Sequence, residues 1–184
     1  MKELWLLRHA KSSWKDASLQ DFDRPLKGRG RRNAATVGRY LSREGFRPDA
    51  VICSPALRTC QTLEKIMDVC KWPRNQINFD PRVYEAAWSA LRAVIAERFQ
   101  QVNSLLLIGH NPGLEMLLQF LVVQCPSFAD GKILPTGAFA QIRLNGDLSS
   151  RQHQLVQLIQ PRALDPDTLE IIDAERTFFD MVCK

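Results

Sequence analysis

The 184-residue sequence has no apolar run approaching the roughly 20 residues that cross a bilayer. Its first residues, Met1-Lys2-Glu3-Leu4-Trp5, lack the basic region, apolar core and small-residue cleavage pattern of a secretory leader. These two absences set the expectation of a cytoplasmic protein without a membrane partner. Cysteines at CxxC spacing are also missing. Cys53, Cys60, Cys70, Cys125 and Cys183 are scattered and odd in number, which argues against a disulfide framework. Cys60 and Cys70 share a helical stripe with Leu63 and Met67, so they read as buried thiols. No Pro/Ser/Gly-rich linker, internal repeat or low-complexity tract divides the chain, and a single domain over residues 1–184 is expected. With 45% hydrophobic and 24% charged residues, disorder and fibrous classes are excluded.

The formal charge of +5 gathers in Arg24, Lys27, Arg29, Arg31, Arg32, Arg39, Arg43 and Arg47. Aromatic residues do not interleave with this run and no nucleic-acid-binding motif accompanies it, so it reads as a solvated helix face and an approach that attracts anions. No nucleic-acid partner is expected.

Histidine is scarce, and its placement is informative. Of three histidines, two end strand-like apolar runs: Leu4-Trp5-Leu6-Leu7-Arg8-His9 and Leu105-Leu106-Leu107-Ile108-Gly109-His110. Runs of this kind read as buried strands, and open α/β sheets bind ligands at the carboxyl ends of their strands.

Apolar runs alternate with amphipathic segments, giving a βαβα order. This predicts a three-layer αβα sandwich with a mostly parallel central sheet. Strands are expected at residues 3–8, 50–53, 76–80 and 104–108, with helices over 28–44, after Ser54-Pro55, around Leu91 to Phe99, and after Asn111. Ser54-Pro55 reads as an N-cap followed by a first-turn proline, which puts Arg58 in the first turn of its helix. Asn111 reads as the cap of the helix carrying Leu114, Leu117, Leu118 and Leu121. Strands over 137–144 and 154–160, joined by Asn145-Gly146-Asp147, are expected to form an antiparallel hairpin at the sheet edge. Asp165-Pro166 suggests a terminal helix over most of the tail, to about Val182.

If the strands are parallel neighbours, Arg8, His9, Arg58 and His110 converge on one edge. Two guanidiniums supply planar donor forks, and two helix N-termini add backbone donors, so the fitting guest is an anion such as a phosphoryl group. His9 is then placed to act as a nucleophile towards phosphorus, while Arg8, Arg58 and His110 neutralise the oxygens. This chemistry implies no metal and no cofactor. A zinc site on His9 and His110 lacks a third and fourth ligand at usable spacing, and the adjacent arginines repel a cation.

Five segments together resemble the histidine phosphatase superfamily, and within it the short phosphohistidine phosphatases of the SixA type. They are Leu6-Leu7-Arg8-His9-Ala10-Lys11, Asp23-Arg24-Pro25-Leu26 with Gly30, Ser54-Pro55-Ala56-Leu57-Arg58-Thr59-Cys60-Gln61-Thr62, Tyr84-Glu85-Ala86, and Ile108-Gly109-His110-Asn111-Pro112-Gly113. Each is weak alone, whereas five in order are specific. Most branches carry glycine where Ala10 stands here. The resemblance covers about residues 4 to 145 and implies a phosphoglycerate-mutase-like fold. It also implies His9 as nucleophile, Arg8, Arg58 and His110 as the phosphate pocket, and Glu85 at the position of a general acid. Glu85 also reads as a solvated carboxylate. Arg24 is a candidate substrate ligand or a fastener of the His9 loop through a carboxylate, the second being preferred. Lys11 is a candidate at the pocket mouth, or simply solvated.

Larger members of the superfamily cap the pocket with long insertions. Here one helix fills the stretch from Glu85 to Ser104, and residues 124–135 make only a short loop, so no large cap is expected. An open pocket suits a phosphorylated protein, above all one bearing phosphohistidine. A small phosphate ester, or a non-catalytic phosphoprotein-binding role, is the alternative.

Overall fold

Alternation along the central strands decides the layering of the molecule. In β1 (Lys2–Arg8), Leu4 and Leu6 face one side of the sheet and Trp5 and Leu7 the other, and all four are buried. β2 (Ala50–Cys53) and β4 (Ser104–Gly109) repeat the pattern, so both faces of the middle of the sheet need cover. Helices α3 (Trp88–Arg98) and α4 (Gly113–Leu121) cover the first face with Leu91, Ile95, Leu114 and Leu118. α1 (Gly28–Arg43) and α2 (Leu57–Cys70) cover the second with Val37, Leu41, Leu63 and Ile66. Each fully buried leucine contributes about 1.5–3 kcal/mol, which makes this two-sided core the main source of stability.

The computed structural model describes residues 2–161 and 169–173. Its seven-stranded sheet has the order β3-β2-β4-β1-β5-β6-β7, with β3 at Ile77–Phe79, β5 at Phe139–Leu144, β6 at Gln154–Pro161 and β7 at Leu169–Asp173. β3, β2, β4 and β1 are mutually parallel and β5 to β7 extend the sheet antiparallel, so the predicted α/β sandwich with a parallel core and an antiparallel edge is the architecture observed. After stepping outward through β2 and β3, the chain returns in β4 between β2 and β1. Register then sets Arg8 opposite Gly109 and Cys53 opposite Ile108, which brings three strand ends together.

Several local expectations need correction. Ser54 is not the cap of α2, whose N-cap is Ala56; the Ser54 hydroxyl has been drawn away to a histidine. Asn111 likewise gives up the cap of α4 to Pro112, because its side chain donates to Glu115 and to the Leu134 carbonyl instead. The tail is not helical over Leu169–Asp173: these residues pair with β6 as strand β7, so β6 is interior and the hairpin is not the edge. The β-branched pair Ile171-Ile172 fits a strand, and β6 offers an unpaired ladder that a helix would leave open. Asp165-Pro166 and the segment after Asp173 lie outside the described residues. The thiols also differ from expectation, since Cys53 is buried whereas Cys60 and Cys70 are only half-buried.

Candidate active site

The strand ends deliver the first half of the site. The Arg8 N–H donates to the Ala138 carbonyl, the His9 N–H donates to the Gly109 carbonyl, and the Gly137 N–H reaches back to the carbonyls of Arg8 and His9. With its backbone held on both sides, His9 has little freedom. Its side chain is 9% exposed, and Nδ1 lies 2.8 Å from the Ala10 carbonyl oxygen. A carbonyl only accepts, so Nδ1 carries the proton and Nε2 presents its lone pair. Burial lowers the His9 pKa to about 4, the Ala10 carbonyl opposes that shift, and the Arg58, Arg8 and Arg24 charges add to it. The ring is thus neutral near pH 7, the state a nucleophile requires.

The His110 ring lies 5.2 Å from that of His9, centroid to centroid. Its Nε2 is 2.8 Å from Ser54 Oγ, and Ser54 follows β2 just as His110 follows β4. Ser54 Oγ also accepts the Ala56 N–H at 3.4 Å, and when its own hydrogen goes to Nε2 the His110 proton sits on Nδ1. Burial lowers the His110 pKa to about 3, with the Arg58 charge adding to the shift. Among the described residues, His110 Nδ1 is buried without a partner, and so is Arg8 Nε, while Arg8 Nη1 donates to the Leu134 carbonyl at 2.9 Å. Unpaired buried donors of this kind are costly, and an oxyanion would satisfy them.

Arg58 supplies the second half, and it is held differently. It stands in the first turn of α2, 4% exposed, with Nη2 donating to Asp21 Oδ2 at 2.8 Å and Nη1 donating to the Asp21 carbonyl. Asp21 in turn accepts from Tyr84 Oη at 2.9 Å and from Arg24 Nη1. Partial desolvation works against ionising Asp21, but the bonds from Tyr84, Arg24 and Arg58 outweigh it and bring its pKa to about 2. A permanently charged carboxylate therefore aims the Arg58 fork.

Arg24 takes the fastening role. Nε donates to the Ser13 carbonyl and Nη2 to Ser12 Oγ, and the guanidinium stacks 3.2 Å from the Trp14 ring centroid. Three of its donors are thus engaged, by Ser13, Ser12 and Asp21. Lys11 is exposed; its backbone, not its ammonium, is what the fold uses, accepting the Lys27 N–H. A Cβ on Gly30 would overlap the Lys11 carbonyl, so only glycine lets α1 press on this loop. The loop is tied to α2 as well, through the Ala10 N–H to Thr62 Oγ1 at 3.0 Å.

Glu85 sits at the rim, its side chain 59% exposed and Oε1 3.9 Å from Arg58 Nη2. Its φ of 47° is a left-handed conformation that a non-glycine residue adopts only when its surroundings impose it. The cause is close at hand: a Cβ on Gly113 would overlap the Ala86 carbonyl, so the 84–86 segment is pressed onto the start of α4.

The structure thus gathers Arg8, His9, Arg58 and His110, with Glu85 at their margin, while Lys11 is exposed and Arg24 is bonded to Ser12, Ser13 and Asp21. Asp21, Tyr84 and Ser54 acquire roles that sequence reasoning missed. The only sequence hint to Asp21 is its i, i+3 spacing to Arg24. Among the described residues, no group of three or more His, Cys, Asp or Glu side chains is placed to hold a metal ion, and no helix is long and apolar enough to cross a membrane.

Comparison with known proteins places this geometry. An uncharacterized chloroplastic protein of Arabidopsis thaliana is 36% identical over 124 residues, which is 62% of this chain and 56% of the relative, so the chain spans little more than half of that protein. An uncharacterized protein of Mycobacterium tuberculosis is 31% identical over 151 residues, covering 76% of this chain and 88% of the relative. Among solved structures, a candidate phosphohistidine phosphatase SixA from Agrobacterium tumefaciens superposes with a TM-score of 0.72 at 26% identity, covering 85% of this chain and 96% of that one. The profile of the histidine phosphatase superfamily, branch 1, matches residues 4–111, from the first strand through both histidines. The chain belongs to the histidine phosphatase superfamily.

Proposed function

We propose that the protein is a phosphatase that works through a phosphohistidine intermediate, without a metal, and that its substrate is phosphohistidine on another protein. The observation that carries the reading is the His9 tautomer: Nδ1–H bound to the Ala10 carbonyl, Nε2 open, and two arginines and His110 around it. In the first step Nε2 attacks phosphorus, the N–P bond forms and the bond to the leaving group breaks. Arg8, Arg58 and the His110 Nδ1–H neutralise the three equatorial oxygens, and Glu85 protonates the leaving group. In the second step Glu85 takes a proton from water, the hydroxide oxygen bonds to phosphorus, and the His9 N–P bond breaks to release phosphate.

A protein substrate is favoured by the rim. Trp14 is 71% exposed beside Arg24, and Leu57, next to Arg58, is 37% exposed. Phe22, 36% exposed, packs on Tyr84 with centroids 5.1 Å apart. Apolar side chains exposed around a charged pocket fit contact with a second macromolecule better than contact with a small leaving group. The cytoplasmic location expected from the sequence belongs to this proposal, although the Arabidopsis relative is described as chloroplastic. A broad phosphomonoesterase is the second reading, supported by the exposed position of Glu85.

The deciding experiment measures kcat/KM for a protein phosphohistidine and for several sugar and glycerol phosphates at two salt concentrations. The phosphoprotein should be processed faster, with a rate that falls as salt rises. A metabolite ester turned over at least as efficiently as every phosphoprotein would transfer the assignment to the small-molecule phosphatase. An alkaline detergent quench during turnover should leave an alkali-stable, acid-labile phosphoryl group on His9.

A further inference from the structure

A second reactive element lies on the outer side of α2, and phosphoryl transfer does not use it. Cys53 ends β2 and is fully buried, whereas Cys60 is half-buried one turn into α2. Their sulfurs converge on one backbone acceptor: Cys53 Sγ lies 3.3 Å and Cys60 Sγ 3.8 Å from the Ser54 carbonyl oxygen. Cys60 Sγ also lies 3.4 Å from the Pro55 carbonyl oxygen. Cys60 reaches the surface through a groove of about 480 Å³ lined by Leu63, Met67, Trp72, Ile77 and Phe79, the last at the edge of the sheet.

We propose that Cys60 is a peroxide-oxidation site whose product is resolved by Cys53 as a disulfide, and that this disulfide reversibly disables the phosphate pocket. The chemistry follows from the pair. The neighbouring Cys53 thiol lowers the Cys60 pKa to about 7 despite partial desolvation, which makes the thiolate accessible near neutrality. Burial holds Cys53 as a thiol, well above the ordinary range. A peroxide is the oxidant. The Cys60 thiolate attacks one peroxide oxygen, the O–O bond breaks, the departing hydroxide or alkoxide takes a proton, and sulfenic acid remains. The Cys53 sulfur then displaces that hydroxyl as water, its own proton leaving with it, and the S–S bond forms.

The consequence comes from what lies between the two cysteines. That segment carries Ser54, the partner of His110, and Arg58, the phosphate fork. Its carbonyl at Ser54 also accepts the Thr59 hydroxyl at 2.8 Å. Closing the two sulfurs, which flank the Ser54 carbonyl, to a covalent bond draws the first turn of α2 towards the end of β2. This shifts the Arg58 fork away from Asp21 and from the pocket.

The test uses the reduced wild-type protein and hydrogen peroxide, read in two independent ways. Peptide mapping after alkylation should show a Cys53–Cys60 crosslink, and aryl-phosphate turnover should fall by at least about tenfold and return with a thiol reductant. Cys60→Ser should abolish both effects, and Cys53→Ser should stop at a Cys60 sulfenic acid that a dimedone-type reagent captures. Because Cys53 is in the core, the wild-type crosslink is decisive even if its variant fails to fold. Absence of that crosslink, a crosslink without loss of turnover, or a Cys60→Ser protein inactivated as fast as wild type would each overturn the proposal. The mapping does not depend on the phosphatase reading, so failure of one leaves the other standing.

Discussion

The two halves of the pocket are positioned by different means. Arg8, His9 and His110 are set by sheet register: once Arg8 lies opposite Gly109, the two histidine rings meet with no side chain dedicated to bringing them together. Arg58 is set by an arm of polar side chains, Asp21 with Arg24 and Tyr84 behind it, and Asp21 is itself about a third exposed. Backbone pairing inside a buried sheet opens less readily than polar contacts near solvent, so the first arrangement is the more rigid and the second the more adjustable. The second also ties the Arg58 fork to the surface segment around Asp21.

This contrast gives predictions in order of size. His9→Ala should lower turnover by on the order of ten-thousandfold or more while the protein still folds, since the ring adds nothing to either apolar cluster. Intact turnover in a folded variant would remove the strand-end half from the chemistry. Arg58→Ala should lower kcat by on the order of a hundredfold, about 3 kcal/mol, because its fork acts on charge redistributed in the transition state. A raised KM with unchanged kcat would assign it instead to uniform binding.

The pH dependence of stability should expose the strand-end half, together with His153, whose pKa burial also lowers. His9 and His110 titrate lower in the folded protein than in the unfolded chain, so between about pH 4 and 6.5 the unfolded chain binds more protons. Stability should be level above about 6.5 and fall as the pH drops, by roughly 2 kcal/mol at pH 5 for His9 alone. Urea midpoints at neutral and acid pH measure this, and His9→Ala should flatten the slope; an unchanged slope would mean that the ring is not held neutral.

Asp21→Asn tests the other half. It keeps the shape but removes the charge that aims Arg58, so kcat should fall about tenfold, near 1.4 kcal/mol, with little rise in KM. Tyr84→Phe deletes one of three bonds to the same carboxylate and should cost less than that. If Asp21→Asn matched Arg58→Ala, the arm would be as indispensable as the fork, and the contrast between rigid and adjustable halves would disappear.

What was legible in the sequence was local. Apolar alternation named the strands, and the abrupt Arg-His and Gly-His endings placed both imidazoles, because a strand that must be buried on both faces can present chemistry only at its end. Arg58 was placed in a first turn correctly, although the cap reasoning behind it was not: α2 begins after Ala56, and Ser54 is turned to His110. The tail was misread for a related reason, since Asp165-Pro166 is a valid helix-start signal and cannot register that β6 offers an open edge to Leu169–Asp173.

By itself, then, the sequence determined the layered α/β sandwich and the positions of His9, Arg8, Arg58 and His110, because these follow from periodicity and spacing within one element. Only the tertiary structure decided which partner each polar side chain takes. Asp21 reaches Arg58 across 37 residues and Tyr84 across 63, and Cys53 faces Cys60 because a strand end and a helix start fold back on each other. Such choices are settled by closing the chain over long separations, where several short polar side chains compete for the same partner and only the final geometry selects among them.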